Sequence, residues 1–316
     1  MIRIATFNME SFGGDRPGRD ATLERIPVLR ARLTSLDADI YCLQEVNAQR
    51  EPGAESRDLS DLDALVAGTP LADFHHAAAG PGDGLADRHN LVILSRHPID
   101  QSATLMHDRV PPWRLELPMQ AGPAEVRFDR PVLKARIALP SGRPLHVFNA
   151  HLRAPLAAPI EGEKLSAHTW RTAGGWAAGL SLAALKRMGQ ALELRLAVDA
   201  ILDADPDALV AVAGDLNAET TETPLRMLMA LPEDTETDAL AARALKPVAD
   251  RIDPDQRFSA SHLGRRHLPD HILTSEALAA RLIDVRIDNE AVLDDASVPA
   301  AFRGSLHAPL SARFDL

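Results

Sequence analysis

The length, composition and charge of the chain restrict its function classes. It has 316 residues, of which 46% are hydrophobic and 25% charged, as in a soluble globular protein with a substantial core. The formal net charge of −11 disfavours binding to long nucleic acid, which usually depends on clustered Lys and Arg. The single cysteine, Cys42, excludes an internal disulfide and a cysteine-based zinc cluster, and we expect it to be a small core residue.

No targeting or membrane-spanning segment is predicted. The first residues, MIRIATFNME, lack the basic start and the long apolar stretch of a signal peptide. No run approaches the roughly 18 apolar residues of a membrane span. We therefore expect a cytoplasmic protein without a membrane span, and no feature of the sequence indicates an obligate protein partner.

Strand-like and helical segments alternate along the whole chain. The predicted strands cover residues 2–8, 38–46, 90–96, 131–139, 144–152, 208–217, 269–275 and 309–316. Helices are predicted over 21–37 and 180–205, the second with an apolar stripe formed by Leu182, Leu185, Met188, Leu192, Leu196 and Ile201. A hairpin turn is predicted at 142–144. Loops are predicted from Asp73 to about 88 and from His151 to about 179.

The number of strands and their mixture of hairpins and crossovers predict an architecture. They favour two packed sheets flanked by helices. No linker, internal repeat or low-complexity stretch divides the chain. We therefore expect one domain over residues 1–316.

One strand ends on two polar side chains. The run VAVAGDLNAE, residues 210–219, begins as a strand that is typical of one buried on both faces. Alternation of side chains along a strand predicts that Asp215 and Asn217 share one face. A carboxylate and a carboxamide delivered together to a sheet edge indicate a site, although Asp and Asn also commonly begin loops after strands.

Similar residues stand at the ends of other predicted strands. They are Asn8, Glu45, His151, Asp270 and His307. Taken singly, each has a structural explanation as a turn residue, a surface carboxylate or a capping imidazole. Taken together, they offer hard oxygen donors for magnesium or manganese, imidazoles that donate to anionic oxygens, and carboxylates that hold or deprotonate water. These are the parts needed for in-line attack on a phosphoryl group.

Six ordered motifs resemble the endonuclease/exonuclease/phosphatase superfamily, which includes deoxyribonuclease I, the abasic-site endonucleases, neutral sphingomyelinases and inositol polyphosphate 5-phosphatases. The motifs are TFNMESF, CLQEV, FNAHLRAP, AGDLNAE, LPDHILTS and SLHAPLSA, and together they span the chain from end to end. The resemblance, to a bacterial-type member, implies an α/β fold. This fold is a four-layer αββα sandwich of two mostly antiparallel sheets flanked by helices, with the site at one end of the strands.

The resemblance also implies ligands for a metal ion and for the substrate. Glu45 is the expected principal ligand of Mg²⁺ or Mn²⁺, with Asn8 beside it. His151 is expected to bind a non-bridging phosphate oxygen, and Asn217 to help hold the phosphate and the attacking water. Arg130 falls where many members place a basic residue near the phosphate, and a surface charge is the alternative.

The remaining implied roles concern proton transfer and charge. Asp215 is expected to orient or deprotonate the attacking water. His307 is expected to stabilise the developing charge, held in orientation by Asp270, which makes a charged imidazole at neutral pH plausible.

The last motif departs from the family pattern, which usually reads Ser-Asp-His. Leu306 replaces the acid, and leucine cannot coordinate a cation. The departure predicts weaker metal binding, greater reliance on Glu45 and Asp270, or an impaired site. Some members also place a tyrosine before ILSR; His89 is the nearest substitute, and a structural hydrogen bond is its alternative role.

Three functions remain open at this stage. The first is a metal-dependent phosphoesterase, for which the acidic charge and the 4% of aromatic residues favour a small or modest substrate. The second is a nuclease, with the basic segment GRRH at 264–267 as the best candidate contact, although a solvated loop is the more usual meaning of such a segment. The third, motivated by Leu306, is a protein that binds phosphate ligands without turnover. A lipid substrate would need an apolar surface, for which Trp170 and Trp176 are candidates unless they pack beneath their own loop.

Overall fold

The computed structural model describes residues 1–15, 19–82, 84–116, 118 and 122–316. The α-helices are α1 (Arg19–Leu36), α2 (Ser60–Val66), α3 (Ala173–Ala204), α4 (Thr223–Met229), α5 (Pro232–Thr235) and α6 (Glu276–Ala279). Short 3₁₀ helices occupy Pro70–Asp73, Asp238–Arg243, Val248–Arg251, Pro254–Gln256 and Asp295–Ser297.

The strands alternate with these helices along the chain. They are β1 (Ile2–Phe12), β2 (Ile40–Val46), β3 (His75–Ala79), β4 (Asn90–Ser95), β5 (Ile99–Leu105), β6 (Trp113–Glu116), β7 (Pro123–Val126), β8 (Val132–Ala138), β9 (Pro144–His151), β10 (Leu209–Asp215), β11 (Lys246–Pro247), β12 (Ala260–His262), β13 (Arg265–His267), β14 (Asp270–Thr274), β15 (Leu282–Ile287) and β16 (Leu310–Phe314).

Two six-stranded sheets form the centre of the fold. The first has the order β15-β16-β1-β2-β4-β3 and the second the order β11-β14-β10-β9-β8-β5. One central pair in each sheet is parallel, β1 with β2 and β9 with β10, and the other neighbours are antiparallel. Each parallel pair brings two carboxyl ends to the same edge of its sheet.

Apolar clusters fill three interfaces and thereby define four layers. Residues of both sheets meet in the cluster between them, which includes Ile4, Ile93, Leu133, Val147 and Ala211. Helices α1 and α2 pack on the outer face of the first sheet, in the cluster that includes Leu29, Leu33, Leu62, Phe7 and Leu43. Helices α3 and α4 cover the second sheet, in the cluster that includes Leu194, Val198, Leu225, Phe148 and Val212. The predicted sandwich of two mostly antiparallel sheets flanked by helices is confirmed.

Every predicted strand and both predicted helices are present, with differences at their ends. The β8–β9 hairpin turns where the sequence predicted, and Gly142 there has a φ of 79°. Helix α3 begins at Ala173, so the predicted loop from His151 ends earlier than expected; the Thr172 side chain caps the helix by accepting from Gly175 N. Strand β3 lies within the other predicted loop.

The apolar stripe predicted for α3 is confirmed in part, because Leu182 and Ile201 are buried whereas Leu185, Met188 and Leu192 are half-buried. Leu196 is exposed, whereas Ala183, Leu194 and Val198 are buried. Small residues on the buried face let the helix approach its neighbours closely, and a pattern search that weights Leu and Met misses them. Cys42, by contrast, is fully buried in β2 as predicted, and burial raises the pKa of its thiol.

None of the helices in the described ranges combines the length and the apolar character that a membrane crossing requires. Of the two tryptophans that the sequence singled out, Trp170 packs against a small apolar cluster and under Lys164, whose Nζ lies 4.5 Å from the ring centroid. Trp176 is 47% exposed on α3, so it does not pack beneath its own loop.

Candidate active site

Strand register brings the predicted site residues of the second sheet into one row. Asp215 ends β10, where it pairs with His151 of the parallel strand β9. On its other side it pairs with Asp270, the first residue of the antiparallel strand β14. The last residues of two strands and the first residue of a third therefore lie side by side at one edge of the sheet.

The first sheet presents its own polar residues at the facing edge. Asn8 of β1 pairs with Gln44, the neighbour of Glu45 in β2. Asn8 Nδ2 donates across the gap between the sheets to Oδ2 of Asp215, at 2.9 Å. Because both side chains are buried, this bond joins the two sheets at the site.

Asp215 is the centre of the cluster. Its Oδ2 lies 3.4 Å from Nε2 of His151 and 4.0 Å from Nε2 of His307. Burial raises the pKa of Asp215, the positive charge of His307 lowers it, and the charge of Asp270 raises it again, to about 7. The carboxylate is therefore able to take a proton near neutral pH, as a general base requires.

His307 is held by Asp270. Its Nδ1 lies 2.8 Å from Oδ2 of Asp270, an oxygen that also accepts from Oγ of Ser259 at 2.6 Å. Burial alone would lower the pKa of His307, but the carboxylates of Asp270 and Asp215 outweigh it and raise the pKa to about 10. The imidazole is therefore positively charged at neutral pH, with Nε2 directed toward Asp215.

Asn217 reaches the site in a different way from the one that strand alternation predicted. Strand β10 ends at Asp215, and Asn217 has a φ of 49°, so the two residues do not share a strand face. Instead the backbone N of Asn217 donates to Oδ1 of Asp215 at 2.9 Å, while its Nδ2 donates to the carbonyl of Leu152 at 3.0 Å. The turn, not the strand, places Asn217 beside Asp215.

The close packing of β9 against β10 explains why the residue before Asp215 is glycine. Its φ is 151°, and a Cβ there would lie 1.8 Å from the carbonyl oxygen of Ala150 in the neighbouring strand. Only glycine permits this close approach of β9 and β10. The approach sets the spacing between His151 and Asp215.

Glu45 stands at the exposed mouth of the site. Its Oε2 accepts from the backbone N of Ser11 at 2.9 Å, and its Oε1 lies 3.5 Å from Nδ1 of His89 and 3.8 Å from Nε2 of His151. Burial would raise the pKa of Glu45, but the neighbouring histidines and Arg130 outweigh it and hold the pKa well below its usual range. Glu45 is therefore an anion at any physiological pH.

His151 and Arg130 bring two further nitrogen groups to the cluster, of which only His151 is fully buried. Burial, aided by the charge of Arg130, holds the pKa of His151 well below its ordinary value, so its imidazole is neutral. Arg130 is half-buried, and its Nη1 donates to the carbonyl of Leu152 at 3.1 Å. Burial lowers the pKa of Arg130 and outweighs the negative charges of Glu45 and Asp215, which raise it. Arg130 thus belongs to the cluster and is not a surface charge.

Glu10, which no sequence motif singled out, lies beside the departure at Leu306. Glu10 and Ser11 have φ values of 51° and 50°, in a bulge of β1. The bulge directs the Glu10 carboxylate to the backbone N of Leu306, from which it accepts a hydrogen bond. The motif TFNMESF contains this carboxylate, but no sequence signal indicates that a bulge turns it toward the last motif.

Arg25 holds the bulge and the last motif together. Its guanidinium donates to the carbonyl oxygens of Met9, Glu10 and Gly304 at 2.8, 2.8 and 2.9 Å. Ser305 adds a bond from its Oγ to the carbonyl of Asn8, at 2.8 Å. These bonds fix the segment that carries His307 against the strand that carries Asn8.

The oxygen donors at the site mouth fit a divalent cation. Glu45 is anionic, and both imidazole nitrogens that face its Oε1 stand beyond ordinary hydrogen-bond length. The side-chain Oδ1 of Asn8 accepts from Glu10 N at 2.8 Å and keeps a second lone pair. One carboxylate with a neutral oxygen beside it is the donor set from which Mg²⁺ and Mn²⁺ sites are commonly built.

Comparison with known proteins identifies the family. The sequence profile of the Endonuclease/Exonuclease/phosphatase family matches residues 5–305. The chain belongs to this family. Comparison with curated proteins gives no match.

Several solved structures share the fold. An AP endonuclease from Archaeoglobus fulgidus is 17% identical, with a TM-score of 0.58 and full coverage of both chains. The 3′ phosphatase NExo from Neisseria, in a structure bound to a product DNA hairpin, gives the same identity, TM-score and coverage. A humanized TDP2 from D. rerio is 16% identical with a TM-score of 0.60, covering 100% of this chain and 99% of its own. At such identities the likeness establishes the fold alone.

Proposed function

We propose that the protein is a divalent-metal-dependent phosphoesterase that hydrolyses a phosphodiester or phosphomonoester by in-line attack of water. The observation that carries the proposal is the contact chain through Asp215, which joins Asn8 at 2.9 Å, His151 at 3.4 Å and His307 at 4.0 Å. A group that accepts a proton near neutral pH thus faces a neutral imidazole and a charged one. In-line phosphoryl transfer depends mainly on such positioning and charge stabilisation.

Glu45 and Asn8 would hold the divalent cation, Mg²⁺ or Mn²⁺, at the mouth of the site. When bound, the cation supplies charge neutralisation at the phosphate oxygens. Ser11 N orients the Glu45 carboxylate through Oε2 and leaves Oε1 directed into the site. The bulge of β1 that places Ser11 is therefore part of the proposed metal site.

Asp215 and His307 perform the proton transfer and the charge stabilisation. Asp215 orients the attacking water and takes its proton, with Asn8 and the backbone N of Asn217 fixing the carboxylate. His307, kept charged by Asp270, donates from Nε2 to the oxygen on which negative charge develops. Both groups are held in place before the substrate arrives.

Three further groups hold the phosphate. His151 donates from Nε2 to a non-bridging oxygen, Asn217 from its carboxamide, and Arg130 from the guanidinium nitrogens that Leu152 does not engage. Arg130 and Asn217 both donate to the Leu152 carbonyl in the described structure. The Leu152 carbonyl thus holds both side chains in place and leaves their other N–H groups for the phosphate.

We propose a small or modest substrate in preference to long nucleic acid. The net charge of −11 repels a polyanion at distances where local contacts do not act. The neighbours that are described as an AP endonuclease and as a 3′ phosphatase bound to a DNA hairpin make a nuclease the second candidate. A single domain over residues 1–316 and a cytoplasmic location stay predictions.

A binding protein without turnover is the third candidate, and Leu306 is the observation that favours it. The side chain at this position supplies no oxygen to a cation, although the Glu10 carboxylate lies at its backbone N. Phosphate esters that bind but are not hydrolysed with any divalent cation would support this candidate.

Hydrolysis of an aryl phosphodiester and of the corresponding monoester tests the proposal, with Mg²⁺, with Mn²⁺ and with EDTA. We expect turnover that requires a cation and stops in EDTA, and the preferred ester then narrows the substrate class. A steep rise of KM with salt for an oligonucleotide, but not for the aryl ester, would favour the nuclease. No turnover with either cation would contradict the proposal.

A further inference from the structure

Glu45, His89 and His151 direct one donor atom each toward a common point. Oε1 of Glu45 lies 3.5 Å from Nδ1 of His89 and 3.8 Å from Nε2 of His151. One ligand atom from each of the three residues lies within 4.8 Å of the other two. Two donors bound at about 2.0–2.1 Å to one tetrahedral cation are about 3.3 Å apart, so small side-chain shifts complete such a site.

From this geometry we propose that Glu45, His89 and His151 form a mixed nitrogen and oxygen site for a transition-metal dication such as Co²⁺, Mn²⁺ or Zn²⁺. Two imidazoles and one carboxylate suit these cations, whereas Mg²⁺ prefers a shell of oxygens. The inference specifies which cation the site binds. It rests on the proposed function only for the role of that cation in turnover. Metal binding itself is independent of it.

The three donors are held in position by the backbone around them. Glu45 and His89 have φ values of 56° and 59°, a left-handed conformation that is uncommon for either residue. Ser11 N fixes Oε2 of Glu45, and the backbone N of His89 donates to Oδ1 of Asn47 at 3.1 Å. Strained residues held by outer hydrogen bonds are typical of positions where side-chain direction matters.

The nitrogen of His89 that faces Glu45 has no other role in the described structure. Nδ1 is buried and lacks a hydrogen-bond partner of acceptable geometry among the described residues. The imidazole itself is 33% exposed, whereas Glu45 is 17% and His151 only 3% exposed. A cation therefore enters from the His89 side and meets a nitrogen that binding would satisfy.

The role of His151 depends on which cation the site binds. With a transition cation bound, His151 is a ligand, and Arg130 and His307 remain as donors to the phosphate. With Mg²⁺, which Glu45 and Asn8 bind through oxygen, His151 stays free for the substrate. The absence of an acid at Leu306 favours the mixed site, because one oxygen donor fewer competes for the cation.

Calorimetric titration of the metal-free protein with Co²⁺ and with Mg²⁺, alongside the visible absorption of bound Co²⁺, tests the proposal. The variant is His89→Asn, because asparagine tolerates the left-handed backbone. The matched control is His107→Asn: His107 has a φ of 65° and is also half-buried, but it bonds Val110 and stacks on Phe128. Circular dichroism establishes that both variants are folded.

We expect wild type to bind Co²⁺ at least about tenfold more tightly than Mg²⁺. His89→Asn should weaken Co²⁺ binding by at least about tenfold, shift the absorption band, and leave Mg²⁺ affinity unchanged. His107→Asn should change neither affinity. Unchanged Co²⁺ affinity in His89→Asn, or equal weakening for both cations, would overturn the proposal. Because no substrate enters the titration, unchanged Co²⁺ affinity in His89→Asn would refute this inference alone and leave the proposed hydrolysis standing.

Discussion

His307 and Asp270 form a partly buried ion pair at the inner wall of the site, with Nδ1 of the imidazole 2.8 Å from Oδ2 of a carboxylate that has no exposed surface. Asp270 begins β14 in the second sheet, whereas His307 precedes β16 in the first. The pair therefore couples the two sheets as well as setting the charge of the imidazole.

Asp270→Asn should lower kcat for the aryl phosphodiester about 100-fold at pH 7, because the uncharged amide no longer keeps His307 protonated. In wild type, activity is expected to rise through about pH 7 as Asp215 ionises and to fall through about pH 10 as His307 loses its proton. The two groups interact, so these values belong to the pair. The measurement is kcat against pH with Mg²⁺.

Ser259→Ala is the control for that measurement, because it removes the two hydrogen bonds between the Ser259 hydroxyl and Asp270 and keeps the carboxylate. In Ser259→Ala, kcat should still fall near pH 10, as in wild type. If this fall is the same in Asp270→Asn as in wild type, Asp270 does not control the charge of His307.

The same pair predicts how the stability of the metal-free protein depends on pH. The pKa of His307 is raised in the folded state above its ordinary value of 6.5, so its stabilisation is fully present below about pH 6.5. The contribution is lost as pH rises through about 10. Urea unfolding of wild type and His307→Gln should show a difference in the free energy of unfolding at pH 6 that shrinks toward pH 10. A difference that grows with pH would contradict the assignment.

Gly214→Ala should destabilise the protein by about 3 kcal/mol or more, since the added Cβ would lie 1.8 Å from the Ala150 carbonyl. The measurement is the urea midpoint at unchanged slope. Gly142→Ala is the control: its φ is 79°, but no atom lies within 4 Å of its added Cβ, so it reports backbone strain without a clash. Equal losses in the two variants would show that the close approach of β9 and β10 is not what requires glycine.

Leu306→Asp should restore an oxygen donor beside Glu10 and tighten Mg²⁺ binding on the order of tenfold, because affinity for hard cations rises with the number of charged ligands. Leu306→Asn introduces a side chain that is similar in shape to aspartate but uncharged, and it should change the Mg²⁺ affinity little. Calorimetry on the metal-free variants measures both. If the two substitutions act alike, charge at this position does not limit metal binding.

Much of the site follows from the sequence, because its residues stand at strand ends and strands of one sheet end at common edges. Glu45, His151 and Asp215 lie where apolar runs stop and Asp270 lies where one begins, and such runs can be recognised in a single sequence. Asn8 was predicted to end its strand, but β1 continues past it to Phe12. The same rule predicted Asn217 for the wrong reason, since its position depends on a left-handed turn.

Other strands and site residues could not be predicted from the sequence, for physical reasons. Strands β5 and β15 are sheet edges with mostly exposed or half-buried side chains, so they lack the apolar alternation that signals a strand. Glu10 and Arg25 act through a bulge and through backbone carbonyls, which leave no residue pattern. Ser259 meets Asp270 only because the β12–β13 hairpin folds the chain back on itself.

Asp215→Asn is the decisive variant, with Glu193→Gln as its control. Among the described residues, the buried Glu193 carboxylate accepts hydrogen bonds only from the backbone N of residues 108–110. The measurement is single-turnover hydrolysis of the aryl phosphodiester with saturating Mg²⁺. We predict that Asp215→Asn loses at least about 100-fold in rate while folded and metal-bound, and that Glu193→Gln keeps its rate. Wild-type rate in folded Asp215→Asn would contradict the claim that this carboxylate manages the attacking water.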